Sequence, residues 1–178
     1  DAERRLKKSS EDSKRAIDEL RKEHEDSSRE SKERLDKIKR DHEELVRRAR
    51  ERAEELRRRG KLREELVKEL EKAIEESERN VEKLARDLER ANEESRRSVE
   101  ELVKELEEAN RRLEELLARN VDAEKLVTDH KRVVETILDK ARKNLDRHRR
   151  AVEDLLRKAR ENLKKTEELV RKLDEDVR

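Results

Sequence analysis

Four histidines stand at a fixed spacing of 18 residues, His24 with His42 and His130 with His148. Imidazole exchanges its proton close to neutral pH, and its neutral form offers one hydrogen-bond donor and one acceptor. Eighteen residues make five turns of an α-helix, so the second histidine of each pair returns to the face of the first. The spacing therefore predicts helices that carry histidines in a column along one face.

The middle of the chain repeats with the same 18-residue period, in blocks that start at Lys61, Arg79 and Arg97. Small polar residues fall at the inward positions of this repeat and of the flanking segments. They can supply the donors and acceptors that a buried imidazole needs. The predicted network consists of His24, His42, His130 and His148 with Ser77, Asn80, Asn92, Ser95, Ser98, Asn110, Asn144, Asn162 and Thr166.

The composition of the chain and its periodicity favour different structures. Charged residues make up 58% of the chain and apolar residues 29%, with no aromatic residue, Cys, Met or Pro. That composition alone is typical of disordered segments. The apolar residues are, however, almost all Leu, Val, Ile and Ala, and they follow one helical stripe throughout. The pattern therefore predicts an all-α protein.

Two places can interrupt the helix. Gly60 suits a left-handed C-terminal cap, and near residue 120 Asn120 can end one helix while Asp122 caps the next. The predicted helices span about 2–59, 61–119 and 123–177. Loops this short force neighbouring helices to run antiparallel. We expect a long, straight, up-down-up three-helix bundle that forms a single domain over residues 1–178.

The short loops also set which residues lie at the same height. The predicted layers, listed by histidine, are His24 with Ser95, Ser98, Asn144 and His148; His42 with Ser77, Asn80, Asn162 and Thr166; and His130 with Asn110 and Ser9. Asn92 lies near the edge of its stripe, where it can face a neighbouring helix. The inward positions between Leu20 and Ile38 are weakly apolar, so we expect this part of the first helix to be the least stably docked.

Two interpretations of the polar layers remain open. Unpaired buried polar groups cost about 1–3 kcal/mol each, so the layers could serve only to fix helix order and register. Alternatively, they form a pH switch: a protonated imidazole carries two donors, and a buried cation there has no inward carboxylate as a partner. The folded pKa would then lie below the ordinary value, and stability would fall with pH.

Other chemistries are disfavoured by the residues around the histidines. No Cys or inward carboxylate completes a tetrahedral metal site with His24 and His148, so no metal or cofactor is predicted. Serine and histidine occur without the strained turn or oxyanion-hole loop that a nucleophile needs, so no enzyme activity is predicted.

The charge pattern bears on partners and location. The 52 Lys and Arg and 51 Asp and Glu are interspersed, so we expect no nucleic-acid partner. No apolar stretch is long enough to span a bilayer. No disulfide framework or targeting signal is apparent, so we expect a soluble protein whose compartment is unassigned.

The chain resembles de novo designed helical bundles with buried hydrogen-bond networks. The resemblance rests on idealised repeats such as LVKELEKAIEE and NVEKLARDLERANEE and on the recurring His, Asn and Ser core positions. The central histidines resemble the subset of such bundles that disassembles in acid. The resemblance implies a scaffold or switch without a natural substrate and with no required partner. The alternative is an interaction module whose second and third helices bind a partner helix or a second copy. A spectrin-like spacer is disfavoured by the helix length and the missing aromatics.

Overall fold

The computed structural model describes residues 1–119 and 122–177, except for the side chains of Ala2 and Val177. These residues form three α-helices: α1 (Ala2–Arg58), α2 (Glu64–Leu117) and α3 (Ala123–Val177). No strand occurs within the described residues. The helices pack against one another, and the prediction of an all-α three-helix bundle is confirmed.

The turn after α1 is a Schellman motif built around Gly60. Its φ of 69° lies in the left-handed region, which favours glycine because there is no Cβ to clash. Gly60 N–H donates to the Arg57 carbonyl at 3.0 Å, and Lys61 N–H donates to the Leu56 carbonyl at 2.9 Å. These bonds satisfy the last carbonyls of α1 and reverse the chain.

The second helix begins at Glu64, three residues later than predicted. The reason is that Lys61 N–H closes the Schellman motif and Leu62 packs sideways onto the core. The Arg63 carbonyl then accepts the first helical bond, from Val67 N–H. α3 begins as predicted, because Asp122 Oδ1 accepts the Glu124 N–H at 3.2 Å as an N-cap. The predicted helix end at Asn120 lies outside the described residues.

Contacts divide the chain into two compact units, each with segments of all three helices. Unit 1 comprises Asp1–Ser28 and Ala91–Arg150, and unit 2 comprises Arg29–Arg90 and Ala151–Arg178. The single-domain assignment stays a prediction.

Hydrogen bonds within each unit show the helix directions. Contacts between α1 and α3 join residues at a nearly constant sequence separation: 119 and 122 for two bonds in unit 2, and, in unit 1, 121 for the Ser9–His130 bond and 124 (148 − 24) for the His24–His148 ring contact. These two helices are therefore parallel. Between α2 and α3 in unit 1, the separation falls from 56 to 49 to 20. α2 is therefore antiparallel to α3, and the up-down-up order follows.

Apolar clusters in each unit hold the polar positions in place. In unit 1, one cluster includes Ile17, Leu106 and Ile137, and another contains Leu6 and Leu113. Unit 2 likewise contains two clusters, which pack residues of all three helices together. Because side chains on both sides of a polar residue along the helix are buried, that residue lies among closely packed apolar side chains.

Candidate functional site

All four histidines are buried, with exposed fractions between 3% and 5%. The 18-residue period places them on the inward face, because the apolar residues three and four positions away share that face. The structure arranges them in three polar layers. We call these the His42 layer, the His130 layer and the His24–His148 layer.

The His42 layer connects all three helices of unit 2. Ser77 Oγ donates to the Ile74 carbonyl at 2.8 Å, so its lone pairs accept from His42 Nε2 at 3.0 Å. Asn162 Nδ2 donates to the Ser77 carbonyl at 3.1 Å, and Asn162 Oδ1 accepts from Asn80 Nδ2 at 3.2 Å. Because the single serine proton is already used, His42 must carry its hydrogen on Nε2.

Thr166 and Asn80 lie at the edges of this layer. Thr166 is buried, and its hydroxyl donates to the carbonyl of Asn162 on its own helix at 3.1 Å. Asn80 is exposed, and it reaches the layer through its bond to Asn162. The interior of the layer is therefore His42, Ser77 and Asn162.

The His130 layer also joins three helices, in unit 1. His130 Nε2 lies 2.9 Å from Asn110 Oδ1, which can only accept, so Nε2 carries the hydrogen. The neutral Nδ1 then accepts from Ser9 Oγ at 3.3 Å. The imidazole of His130 thus has both nitrogens bonded, while Asn110 Nδ2 has no partner among the described residues.

The His24–His148 layer brings two imidazole rings together in unit 1. The ring centroids are 4.8 Å apart, and the ring planes are tilted by 50°. His148 Nε2 donates to Asn92 Oδ1 at 2.6 Å. Beside them, Asn144 Nδ2 donates to Ser95 Oγ at 3.2 Å and to the Ser95 carbonyl at 3.3 Å. His24 Nε2 and His148 Nδ1 have no hydrogen-bond partner among the described residues.

Ser95 and Asn144, predicted at the height of His24 and His148, bond to each other beside the two rings. Ser98 was expected to belong to the network, but its Oγ donates to the Glu94 carbonyl at 3.1 Å on its own helix. A serine near the edge of a helical stripe has that carbonyl within easy reach.

An ion pair of unit 1 was not foreseen from the sequence. Arg21 binds Glu100 through one Nη2 atom, at 2.9 Å to Oε1 and 2.8 Å to Oε2. Both residues are half-buried at the edge of the α1–α2 contact. No sequence signal could have singled them out, because charged residues at this spacing recur along the whole chain.

Burial lowers the pKa of all four histidines. The pKa of His148 falls to about 4, mainly because of desolvation and further because of the charges of His24 and Arg149. Desolvation also lowers the pKa of His24, opposed by Glu25. The pKa of His130 is lowered by burial. In the His42 layer, desolvation lowers the pKa of His42, and Glu78 and Glu43 oppose it.

Within residues 1–119 and 122–177, no group of three or more His, Asp or Glu side chains is placed to hold a metal ion. Within the same ranges, no helix combines the length and the apolar character needed to cross a membrane. An open groove of about 750 Å³ lies between α2 and α3 of unit 1, lined by residues that include Leu113, Leu116 and Val133.

Comparison with known proteins adds no relative: no protein-family model, curated protein or solved structure matches this chain. The candidate site therefore rests on the geometry of the three layers.

Proposed function

We propose that this protein is a designed structural scaffold whose buried polar layers fix helix order and register, with no natural substrate and no catalytic activity. The observation that carries this proposal is the His42 layer. There, one connected set of hydrogen bonds runs from α1 through α2 to α3 within unit 2. The idealised repeats and the resemblance to designed bundles support the same reading.

The physical basis is the penalty for slippage. Moving one helix by a turn shifts its side chains by about 5.4 Å, far beyond hydrogen-bond range. His42 Nε2–H and the Asn162 amide would then be buried without partners, at about 1–3 kcal/mol each. An all-apolar core tolerates such slips more easily, because Leu can replace Leu. A scaffold with polar layers therefore favours a single alignment.

We further propose that the scaffold is acid-sensitive. A histidine whose folded pKa lies below its unfolded value binds fewer protons when folded, so acid favours unfolding. The stabilising contribution is complete above the ordinary pKa of 6.5 and is lost as pH falls towards the folded pKa. For His148 the full interval, from 6.5 to about 4, corresponds to about 3 kcal/mol. His24, His42 and His130 add to this in the same direction.

The test is a comparison of the parent with a variant in which all four histidines are replaced by Asn. Denaturant midpoints are measured at about pH 7.5 and about pH 5, a range that brackets the histidine titration. We expect the parent to lose about 2 kcal/mol or more, because His148 alone accounts for that much.

The four-histidine variant controls for the effect of acid on exposed carboxylates. Exposed carboxylates such as Glu153, whose pKa is lowered by its hydrogen bond to Arg34, are present in both proteins. Their effect therefore cancels in the difference, and the variant should lose little. Equal losses in the two proteins would refute the acid response and leave the register proposal standing.

The second candidate is an interaction module that binds a partner helix or a second copy. It is favoured by the groove between α2 and α3 of unit 1, where Val133 is 45% exposed. Exposed apolar side chains in a groove can mark a contact surface. The oligomeric state in solution distinguishes this candidate from a self-contained scaffold.

A further inference from the structure

His24 and His148 differ from the other buried histidines because their rings touch and each has an unpartnered nitrogen. The centroids are 4.8 Å apart, and each residue is 4% exposed. His24 Nε2 and His148 Nδ1 are shielded from solvent and have no hydrogen-bond partner among the described residues. Buried polar atoms are nearly always bonded, so two exceptions in one layer require an explanation.

The bond from His148 to Asn92 defines the chemistry of one of these nitrogens. Asn92 Oδ1 only accepts, so His148 Nε2 carries the hydrogen at 2.6 Å. The Nδ1 atom of the neutral ring therefore presents a lone pair inside the protein. A lone pair in this position is a base, and a proton supplied by the neighbouring ring can satisfy it.

The His130 layer provides the contrast within the same unit. His130 Nδ1 accepts a hydrogen bond from Ser9 Oγ, and a hydroxyl oxygen can also accept one. When His130 gains a proton, Nδ1–H can donate to the same oxygen while Nε2–H stays bonded to Asn110. Protonation of His130 therefore keeps both hydrogen bonds and costs mainly desolvation.

We propose that His24 and His148 form a paired proton site, in which one proton is shared between the two rings and a second proton separates α1 from α3 within unit 1. This inference rests on the proposed acid response and assigns its trigger. In the neutral structure the two nitrogens are not hydrogen-bonded to each other. In the first step one ring becomes an imidazolium, and the rings turn so that its N–H donates to the lone pair of the other ring. In the second step that lone pair is protonated too, so two cations lie on touching buried rings without an acceptor between them.

The surroundings do not neutralise the second charge. The charged residues near this height are Arg21, Lys22, Glu23, Glu25 and Asp26 on α1, Glu93, Glu94, Arg96, Arg97 and Glu100 on α2, and Asp146, Arg147, Arg149 and Arg150 on α3. On α2, Glu93 is paired with Arg96 and Arg97. Arg21 is paired with Glu100 at 2.8 Å, and Arg149 lies 3.9 Å from Glu23. Glu25 favours a charge on His24 and Arg149 disfavours one on His148. The α2 residues that hydrogen-bond within this layer, among those described, are Asn92 and Ser95, and both are neutral.

The experiment is an NMR titration of the imidazole carbons and nitrogens in the parent and three variants, H24N, H148N and H130N. In the parent, we expect the pair to titrate in two steps more than about one pH unit apart, as interacting sites do. In H24N, the remaining His148 should titrate once, between the two steps of the parent, because both the shared proton and the repulsion are gone. In H148N, the remaining His24 should likewise titrate once, between the two steps of the parent. This variant tests the proposal if H24N does not fold.

H130N is the matched control, because it removes a buried histidine of the same unit that has both nitrogens bonded. It should leave both steps of the pair in place. In acid unfolding followed by circular dichroism, H24N should move the midpoint to lower pH by more than H130N does. The proposal is overturned if His148 titrates identically in the parent and H24N, or if H130N shifts the pair as much as H24N does. Either result can occur while the four-histidine comparison still shows an acid response, so the two failures are distinguishable.

Discussion

The bond between His42 and Ser77 allows the sharpest test of the register proposal, through the substitution Ser77→Ala. His42 is 3% exposed, and its Nε2–H points at Ser77 Oγ from 3.0 Å. The substitution removes the acceptor and leaves the N–H buried, because an alanine methyl group offers no lone pair. The serine's own donation, to the Ile74 carbonyl, leaves no orphan when lost, since that carbonyl lies within the α2 hydrogen-bond ladder.

The expected loss follows from these contacts. A buried donor deprived of its partner costs about 1–3 kcal/mol, and the better helix propensity of Ala returns about 0.5 kcal/mol. We therefore expect Ser77→Ala to lower the free energy of unfolding by about 0.5–2.5 kcal/mol. With a urea m-value of about 2–3 kcal/mol/M, the midpoint falls by roughly 0.2–1.2 M.

Ser98→Ala is the matched control, and it makes the same chemical change on the same helix. Among the described residues, Ser98 Oγ bonds its own helix carbonyl at 3.1 Å and no histidine. Its substitution should change stability by less than about 0.5 kcal/mol. The double variant Ser77→Ala with His42→Leu should recover most of the loss, because neither polar partner then remains buried. If Ser77→Ala and Ser98→Ala have equal effects at pH 7.5, the bond does not stabilise the His42 layer and the register proposal loses its main support.

Two further predictions follow from the same contacts. Asn144→Leu alone should destabilise unit 1 by about 1 kcal/mol, because Ser95 Oγ is left buried without its amide partner. The double variant Asn144→Leu with Ser95→Ala should be near neutral. Similar thermal midpoints for the single and double variants would mean that water reaches these positions. Sedimentation equilibrium at micromolar concentration should give the 21.5 kDa mass of one chain, because the large apolar residues are mostly buried in the bundle. A mass of two chains would instead favour the interaction module, and Val133→Glu should then restore the monomer.

Much of the fold could be predicted from the sequence because the relevant signals are local. The 18-residue spacing fixes the face of each histidine through the geometry of a single helix. Gly60 marks the C-terminal cap of α1, because the turn there requires a left-handed φ. Asp122 marks the start of α3, because the first N–H groups of a helix need an acceptor nearby in the sequence. Short loops then place His42 level with Ser77, and His130 level with Asn110, and both pairs are bonded.

What only the tertiary structure decided is which atoms meet. Helical periodicity locates a side chain to about one turn, or 5.4 Å, whereas a hydrogen bond requires placement to within a few tenths of an ångström. For this reason the sequence could place Ser95 and Asn144 at one height but could not show that they bond to each other, or that Ser98 bonds to its own helix. The contact of His24 with His148, and the two nitrogens left without partners there, depend on rotamers and helix separation. Those quantities are set by the packing of three helices together, which no single stretch of sequence contains.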